Sequence, residues 1–102
     1  MKKRIFRTYE EKLMEDLQDV DRAIGYLNEA LMDEDPRVFL LALKDVYAAQ
    51  DIDMTELARK TDLSRENLYR ILSPKGNPKL TSIISLLNAV GFSLAIQPTI
   101  KK

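Results

Sequence analysis

MTELARKTDLSRENLYRIL, residues 54–72, decides the fold, because it reads as two short helices joined by a tight turn. Glu56 to Thr61 forms a scaffold helix, with Leu57 and Ala58 facing inward and Arg59 and Lys60 left in water. Asp62-Leu63-Ser64 has room only for a turn, and Leu63 supplies the apolar plug such a turn needs. Ser64 stands where a helix N-cap belongs, since its hydroxyl can accept from a first-turn amide. Leu68, Ile71 and Leu72 then recur as a buried stripe, which leaves Arg65, Glu66, Asn67, Tyr69 and Arg70 on the outer side. The small Ala58 permits a close crossing of the two helices. That is the arrangement of a helix-turn-helix, whose second helix can enter a DNA groove.

Upstream, Asp51-Ile52-Asp53 interrupts the helical period. Asp53, with Glu56 three residues later, is a capping-box arrangement that starts the scaffold helix. From Arg37 to Ala49 the residues Phe39, Leu40, Leu43, Val46 and Tyr47 form a wide apolar stripe, the pattern of a central core helix. Pro36 fits its first turn, where a missing N–H costs little. Before the acidic Asp33-Glu34-Asp35, another helix begins at a cap supplied by Asp19 or Asp21. Ile24, Leu27 and Leu31 mark one face of it, flanked by Ala23 and Ala30, with Tyr26 alongside. Tyr9 to Gln18 carries Leu13, Met14 and Leu17 at helical spacing, with Thr8 as N-cap and Glu10 and Glu11 at the positive end of the helix dipole.

Downstream, Ser73-Pro74-Lys75-Gly76-Asn77-Pro78 is a loop by composition. Leu80 to Val90 is helical, with Leu80, Ile83, Ile84, Leu87 and Val90 in register, and Gly91 supplies a left-handed stop. Phe92, Leu94 and Ile96 alternate with Ser93, Ala95 and Gln97 ahead of Pro98, the period of a half-buried strand. A strand needs a partner, and two are open: Lys3–Arg7, which contains Ile5 and Phe6, or the same segment of a second chain. The fold class is therefore mainly all-α, five to six helices with a short C-terminal β-strand.

At 102 residues the chain has the length of one domain with a modest core. Residues 1–50 would form acidic N-terminal helices, 53–91 a helix-turn-helix core and 92–98 the strand. The absence of cysteine and histidine removes disulfides, thiolate metal sites, cysteine nucleophiles and histidine-based triads. No metal or cofactor is expected. Residues 1–7 are basic but lack the apolar stretch of a secretory signal, and no segment approaches transmembrane length. No membrane association is expected, and the expected location is cytoplasmic.

The zero net charge hides a partition. Lys2, Lys3, Arg4 and Arg7 make the first seven residues basic, and residues 8–53 hold thirteen carboxylates against four cations. Residues 54–80 hold six cations against three carboxylates. Two partners of opposite sign would match such a chain, although a solvated acidic face gives the same pattern. A domain-wide basic balance is missing, so DNA binding would be local and dimeric.

The chain resembles the Xre-class helix-turn-helix antitoxins of the addiction-module antidote family, the HigA-like partners of RelE/HigB-like toxins. The resemblance runs from about Tyr9 to Ile96. It rests on YLNEAL (Tyr26–Leu31), D-P-x-x-F-L-x-A-L-x-D-V (Asp35 to Val46), LARKTDLSRENLYRIL (Leu57–Leu72) and GNP (Gly76–Pro78). It implies a helix bundle of the lambda-repressor-like type and an antitoxin of a type II toxin-antitoxin module. Such a protein represses its own operon as a dimer on double-stranded operator DNA and neutralises a basic ribonuclease toxin. The family's turn carries Gly where this chain has Asp62, a residue that tolerates left-handed backbone better than most. By resemblance the first, second and sixth residues after the cap, here Arg65, Glu66 and Arg70, read base edges.

The chemistry of those side chains is consistent with that implication. Arg65 can offer a bidentate fork to guanine O6 and N7, and Arg70 can do the same or hold a phosphate. Glu66 only accepts, so in a groove it would select a cytosine amino group or exclude phosphate, and Asn67 can bond a base or the backbone. Ser64, Lys75, Asn77 and Lys79 are candidate phosphate contacts, helped by backbone N–H groups near Gly76. The bland alternative makes Arg65 and Arg70 solvated cations bridging to Glu66 or Asp62. One copy supplies a single recognition helix, so a two-fold homodimer on a palindromic operator is expected. The C-terminal strand and the helix before it are the interface candidates. For the toxin, Asp16, Asp19, Asp21, Glu29, Asp33, Glu34 and Asp35 can meet a basic surface, or can simply cap helices. An enzyme is not expected: the carboxylates lie in polar runs, and no nucleophile has a base beside it. The competing class is a helical protein-interaction module without DNA binding. RNA binding ranks last, for want of an exposed aromatic platform.

Overall fold

The computed structural model describes residues 8–99, which contain six α-helices and no strand. Each of the first five helices starts where the chain offers an oxygen to its first amides. Thr8 caps α1 (Tyr9–Asp16), accepting from the Glu11 N–H at 3.0 Å while the Glu11 carboxylate accepts from the Thr8 N–H at 3.2 Å. Of the two caps left open for α2 (Val20–Leu31), Asp19 takes the role. Asp35 caps α3 (Pro36–Ala49), with Pro36 in its first turn. Asp53 caps α4 (Met54–Thr61) and Ser64 caps α5 (Arg65–Ile71). The expected Asp53–Glu56 box is half made, because the Glu56 carboxylate pairs with Lys60 at 3.7 Å. No side chain caps α6 (Leu80–Asn88).

Three of the six helices, α3, α4 and α6, end at a left-handed residue. At Gly91 (φ 84°) the Phe92 N–H donates to the Leu87 carbonyl and the Gly91 N–H to that of Asn88, a Schellman pattern. Asp51 (φ 59°) does the same after α3, with Ile52 bonded to Tyr47 and Asp51 to Ala48. Aspartate here takes the conformation for which glycine is usually chosen.

α3 is the central element: Phe39, Leu40, Ala42, Leu43, Val46, Tyr47 and Ala49 are buried, so its expected stripe is complete. α1 and α2 pack against it, and α4 packs against α5 and α6. Two tyrosines tie the layers. The Tyr47 hydroxyl donates to the Leu86 carbonyl at 2.9 Å, and the Tyr26 hydroxyl to Asp45 Oδ2 at 2.7 Å. Burial pushes both phenols above their ordinary range, and the Asp45 contact adds to the effect at Tyr26. Among the described residues no helix is long and apolar enough to cross a membrane.

Three sequence expectations are corrected. The buried face of α2 is Ala23, Leu27 and Ala30, while Ile24 and Leu31 stay 39% and 47% exposed. Two adjacent stripes share Leu27, and the one with alanines lets α2 approach α3 closely. On α6 the buried pair is Leu86 and Leu87, with Ile83 and Val90 packed partly against the core; Leu80 and Ile84 are exposed. The C-terminal β-strand is not formed: Phe92 to Pro98 has no regular secondary structure. Apart from the Phe92 N–H, the backbone of this segment has no hydrogen-bond partner among the described residues, and without one alternation alone cannot make a strand. The expected partner Lys3–Arg7 lies outside the described residues.

Candidate nucleic-acid interface

The α4–α5 unit is assembled by short-range contacts that fix where each outer side chain stands. Leu57 is fully buried beneath α4. Thr61, the one buried polar residue of the described chain, donates from its hydroxyl to the Leu57 carbonyl at 2.8 Å and accepts from the Leu63 N–H at 3.3 Å. This bond closes the helix end and enters the turn at once. Asp62 (φ 63°, ψ 18°) is left-handed, its N–H bonded to the Ala58 carbonyl at 3.1 Å, so the turn uses a backbone conformation for which glycine is the usual choice. Leu63 packs against the core as the plug. Ser64 then accepts from the Asn67 N–H at 3.0 Å and starts α5.

α5 is only seven residues long, too short to be stable alone, and its position comes from Leu68, Ile71 and Leu72 in the core. Arg65, Glu66, Tyr69 and Arg70 are exposed on its outer side and Asn67 is half-buried. The Arg65 guanidinium sits over the Tyr69 ring, 6.0 Å from its centroid, a cation–π contact one helical turn apart. Arg70 donates to the Asn67 side-chain oxygen. Among the described residues neither arginine meets a carboxylate within ion-pair distance, so the bridges to Glu66 or Asp62 are not made. The two guanidinium groups keep their remaining donors toward solvent.

The loop after α5 folds back on it. The Ser73 hydroxyl donates to the Arg70 carbonyl at 2.7 Å, and the Gly76 N–H donates to the Ser73 carbonyl at 2.9 Å. Gly76 lies so close to the end of α5 that a Cβ there would stand 1.9 Å from the Ile71 carbonyl oxygen. Lys75, Asn77 and Lys79 are exposed, and none bonds to Arg65 or Arg70. Asn77 also lines a groove of about 510 Å³ with Asp33, Glu34, Pro36 and Leu80, which places it beside the acidic turn.

On the acidic half, structural duties are plain. Asp35 binds Arg37 through both carboxylate oxygens, which holds its carboxyl below the usual range, and Asp33 accepts from the Asp35 N–H at 2.8 Å. Asp16 meets Arg22 at 2.7 Å and Lys12 at 3.5 Å, and Asp19 is a cap. Asp21, Glu29 and Glu34 are exposed. Among the described residues no group of three acidic side chains is placed to hold a metal ion.

Sequence reading missed three details of the site: the Thr61 bond, the Arg65–Tyr69 pair and the Arg70–Asn67 bond. The last two were signalled by i,i+4 and i,i+3 spacing.

Residues 8–98 match the model of a family described as "Probable addiction module antidote protein". A Haemophilus influenzae protein named only "Uncharacterized protein" is 35% identical over 72 residues, covering 71% of this chain and 72% of that one. No solved structure matches.

Proposed function

The chain belongs to the family of addiction module antidote proteins, and from that premise we propose that it is a non-enzymatic, cytoplasmic, Xre-class, HigA-like antitoxin that represses its own operon. In this reading α4 and α5 are the helix-turn-helix of a lambda-repressor-like domain spanning the chain. α5 enters the major groove, Arg65 and Arg70 read guanine edges, and Glu66 and Asn67 refine the choice. Ser64, Lys75, Asn77 and Lys79 contact phosphates and set the register. Two copies related by a two-fold axis bind a palindromic operator. The neutralised partner is a basic ribonuclease of the RelE/HigB-like class, met by the acidic helices before residue 50.

One observation carries the DNA-binding part. Arg65 and Arg70 stand exposed, with no carboxylate partner among the described residues, on the outer side of a helix whose opposite side is locked in the core. Side chains kept for solubility need no such rigid platform, whereas base readout does. The test is an electrophoretic shift with DNA from upstream of the chain's own operon. Arg65→Ala removes one bidentate contact per half-site, each worth about 1–3 kcal/mol, so affinity falls at least tenfold and preference relaxes at one base pair of each half-site. An unchanged shift overturns the readout.

A further inference from the structure

The acidic turn after α2 opens onto residues from the other half of the chain. Asp33 and Glu34 line the groove of about 510 Å³ together with the loop after α5 and the start of α6. Its lining runs from buried Phe39 and Leu40 to Leu31 and Leu80, which stay 47% and 65% exposed. Leu80 stands at the first position of α6, where the fold leaves it in water. No lysine or arginine lines the groove, and Arg37, close to it in sequence, is held by Asp35 at 2.8 Å. Both lining carboxylates are exposed, and Asp33 uses one oxygen to accept from the Asp35 N–H. An apolar groove with an acidic rim is an association site by its chemistry.

We propose that this groove seats an apolar side chain of the basic toxin, and that cations beside that side chain meet Asp33 and Glu34. The inference rests on the antitoxin reading of the proposed function and extends its toxin surface past residue 50 to α6. Charge decides among the occupants. A second copy seated groove to groove would set carboxylate against carboxylate, with no lining cation to separate them. A nucleic acid would bring its phosphates to the same two carboxylates. A basic protein surface meets neither penalty. An apolar anchor inside a charged rim also divides the work of binding: the desolvated side chain fixes the complex, and the ion pairs at its edge steer the encounter.

The test is calorimetric titration of the full chain with the ribonuclease encoded in its own operon, repeated across temperature and salt concentration. Leu80→Ser raises the dissociation constant about tenfold or more and makes the heat capacity of binding less negative, because it removes apolar area that the complex buries. Glu34→Gln leaves that heat capacity unchanged and flattens the dependence of affinity on salt. Leu41→Ser, at a leucine of α3 that is 50% exposed and does not line the groove, leaves the affinity as it is. Leu80 is mostly in water, so the unfolding midpoint of its variant stays near that of the parent and a folding failure is recognisable. Toxin binding that Leu80→Ser leaves unchanged in affinity and heat capacity overturns the anchor. So does loss of self-association by Leu80→Ser in sedimentation equilibrium, which places a second copy in the groove. A parent chain that does not bind the ribonuclease overturns the antitoxin reading itself, so the two failures are told apart.

Discussion

Gly76→Ala and Gly25→Ala are the same chemical change with opposite expected signs. At Gly76 the new Cβ stands 1.9 Å from the Ile71 carbonyl oxygen, 2.7 Å from its carbon and 3.0 Å from the Arg70 carbonyl oxygen, all backbone atoms. Comfortable separations are about 3.5 Å, so the loop or the end of α5 must move by roughly 1.6 Å. Such overpacking costs about 1–3 kcal/mol, and the lower entropy of the unfolded alanine chain returns about 0.4–1 kcal/mol. A net loss of roughly 1–2 kcal/mol follows, which lowers the midpoint by about 4–8 °C per kcal/mol in a domain of this size. Gly25 sits inside α2 with nothing within 4 Å of a Cβ. Alanine there adds about 0.5–1 kcal/mol of helix propensity. Thermal unfolding followed at 222 nm measures both. If Gly76→Ala unfolds within about 0.5 kcal/mol of the parent, a range ordinary for neutral surface changes, the close approach does not restrain the loop and the reasoning is wrong.

Two further outcomes are expected. Asp62→Gly relieves a left-handed side chain that costs about 1–2 kcal/mol, and against the entropy of glycine leaves a gain of roughly 0.5–1 kcal/mol, read by urea denaturation; a loss instead would mean that the Asp62 side chain itself holds the turn. Burial raises the Tyr47 phenol above its ordinary value near 10. The unfolded chain therefore loses this proton first, stability is intact below about pH 10 and falls as pH rises beyond it. Tyr47→Phe removes its share of that alkaline decline. It also leaves the Leu86 carbonyl without its partner, at a cost of about 1–2 kcal/mol at pH 7, measured by denaturation at both pH values.

What could be read from sequence was whatever depends on neighbours along the chain. Thr8, Asp53 and Ser64 cap helices because an oxygen placed before an apolar run has one obvious use, and Leu68, Ile71 and Leu72 share a stripe in any helix. What failed depends on neighbours in space. Ile24-Leu27-Leu31 and Ala23-Leu27-Ala30 are both valid stripes, and only the approach of α3 selects the second. Leu86 lies beside the stripe drawn through Leu80, Ile84 and Leu87, and the Tyr47 bond to its carbonyl cannot be seen in one dimension. The alternation of Phe92, Leu94 and Ile96 was read correctly as a pattern. A strand is a relation between two segments, and no partner stands among the described residues. At the candidate site the exposure of Arg65 and Arg70 was legible from helical spacing, while Thr61 was not, since its hydroxyl matters only once buried.

The two halves of the chain differ in how function and stability are entangled, and this decides which substitutions are informative. Arg65, Glu66 and Arg70 lie outside the core, and α5 is held by residues on its other side, so their replacement changes the proposed DNA-reading surface and little of the fold. The acidic half has no such separation. Asp19 and Asp35 cap helices, Asp33 braces the turn and Asp16 holds Arg22 and Lys12, so reversing these charges weakens the fold whatever partner they meet. Glu29 and Glu34 are exposed and carry none of those bonds. Glu29→Lys with Glu34→Lys is therefore the clean probe of the proposed toxin surface. Its expected outcome is an unfolding midpoint close to that of the parent together with weaker toxin binding by calorimetry. Asp35→Lys, in contrast, lowers the midpoint as well. Unchanged toxin affinity in the double variant would return these carboxylates to the role of a solvated face.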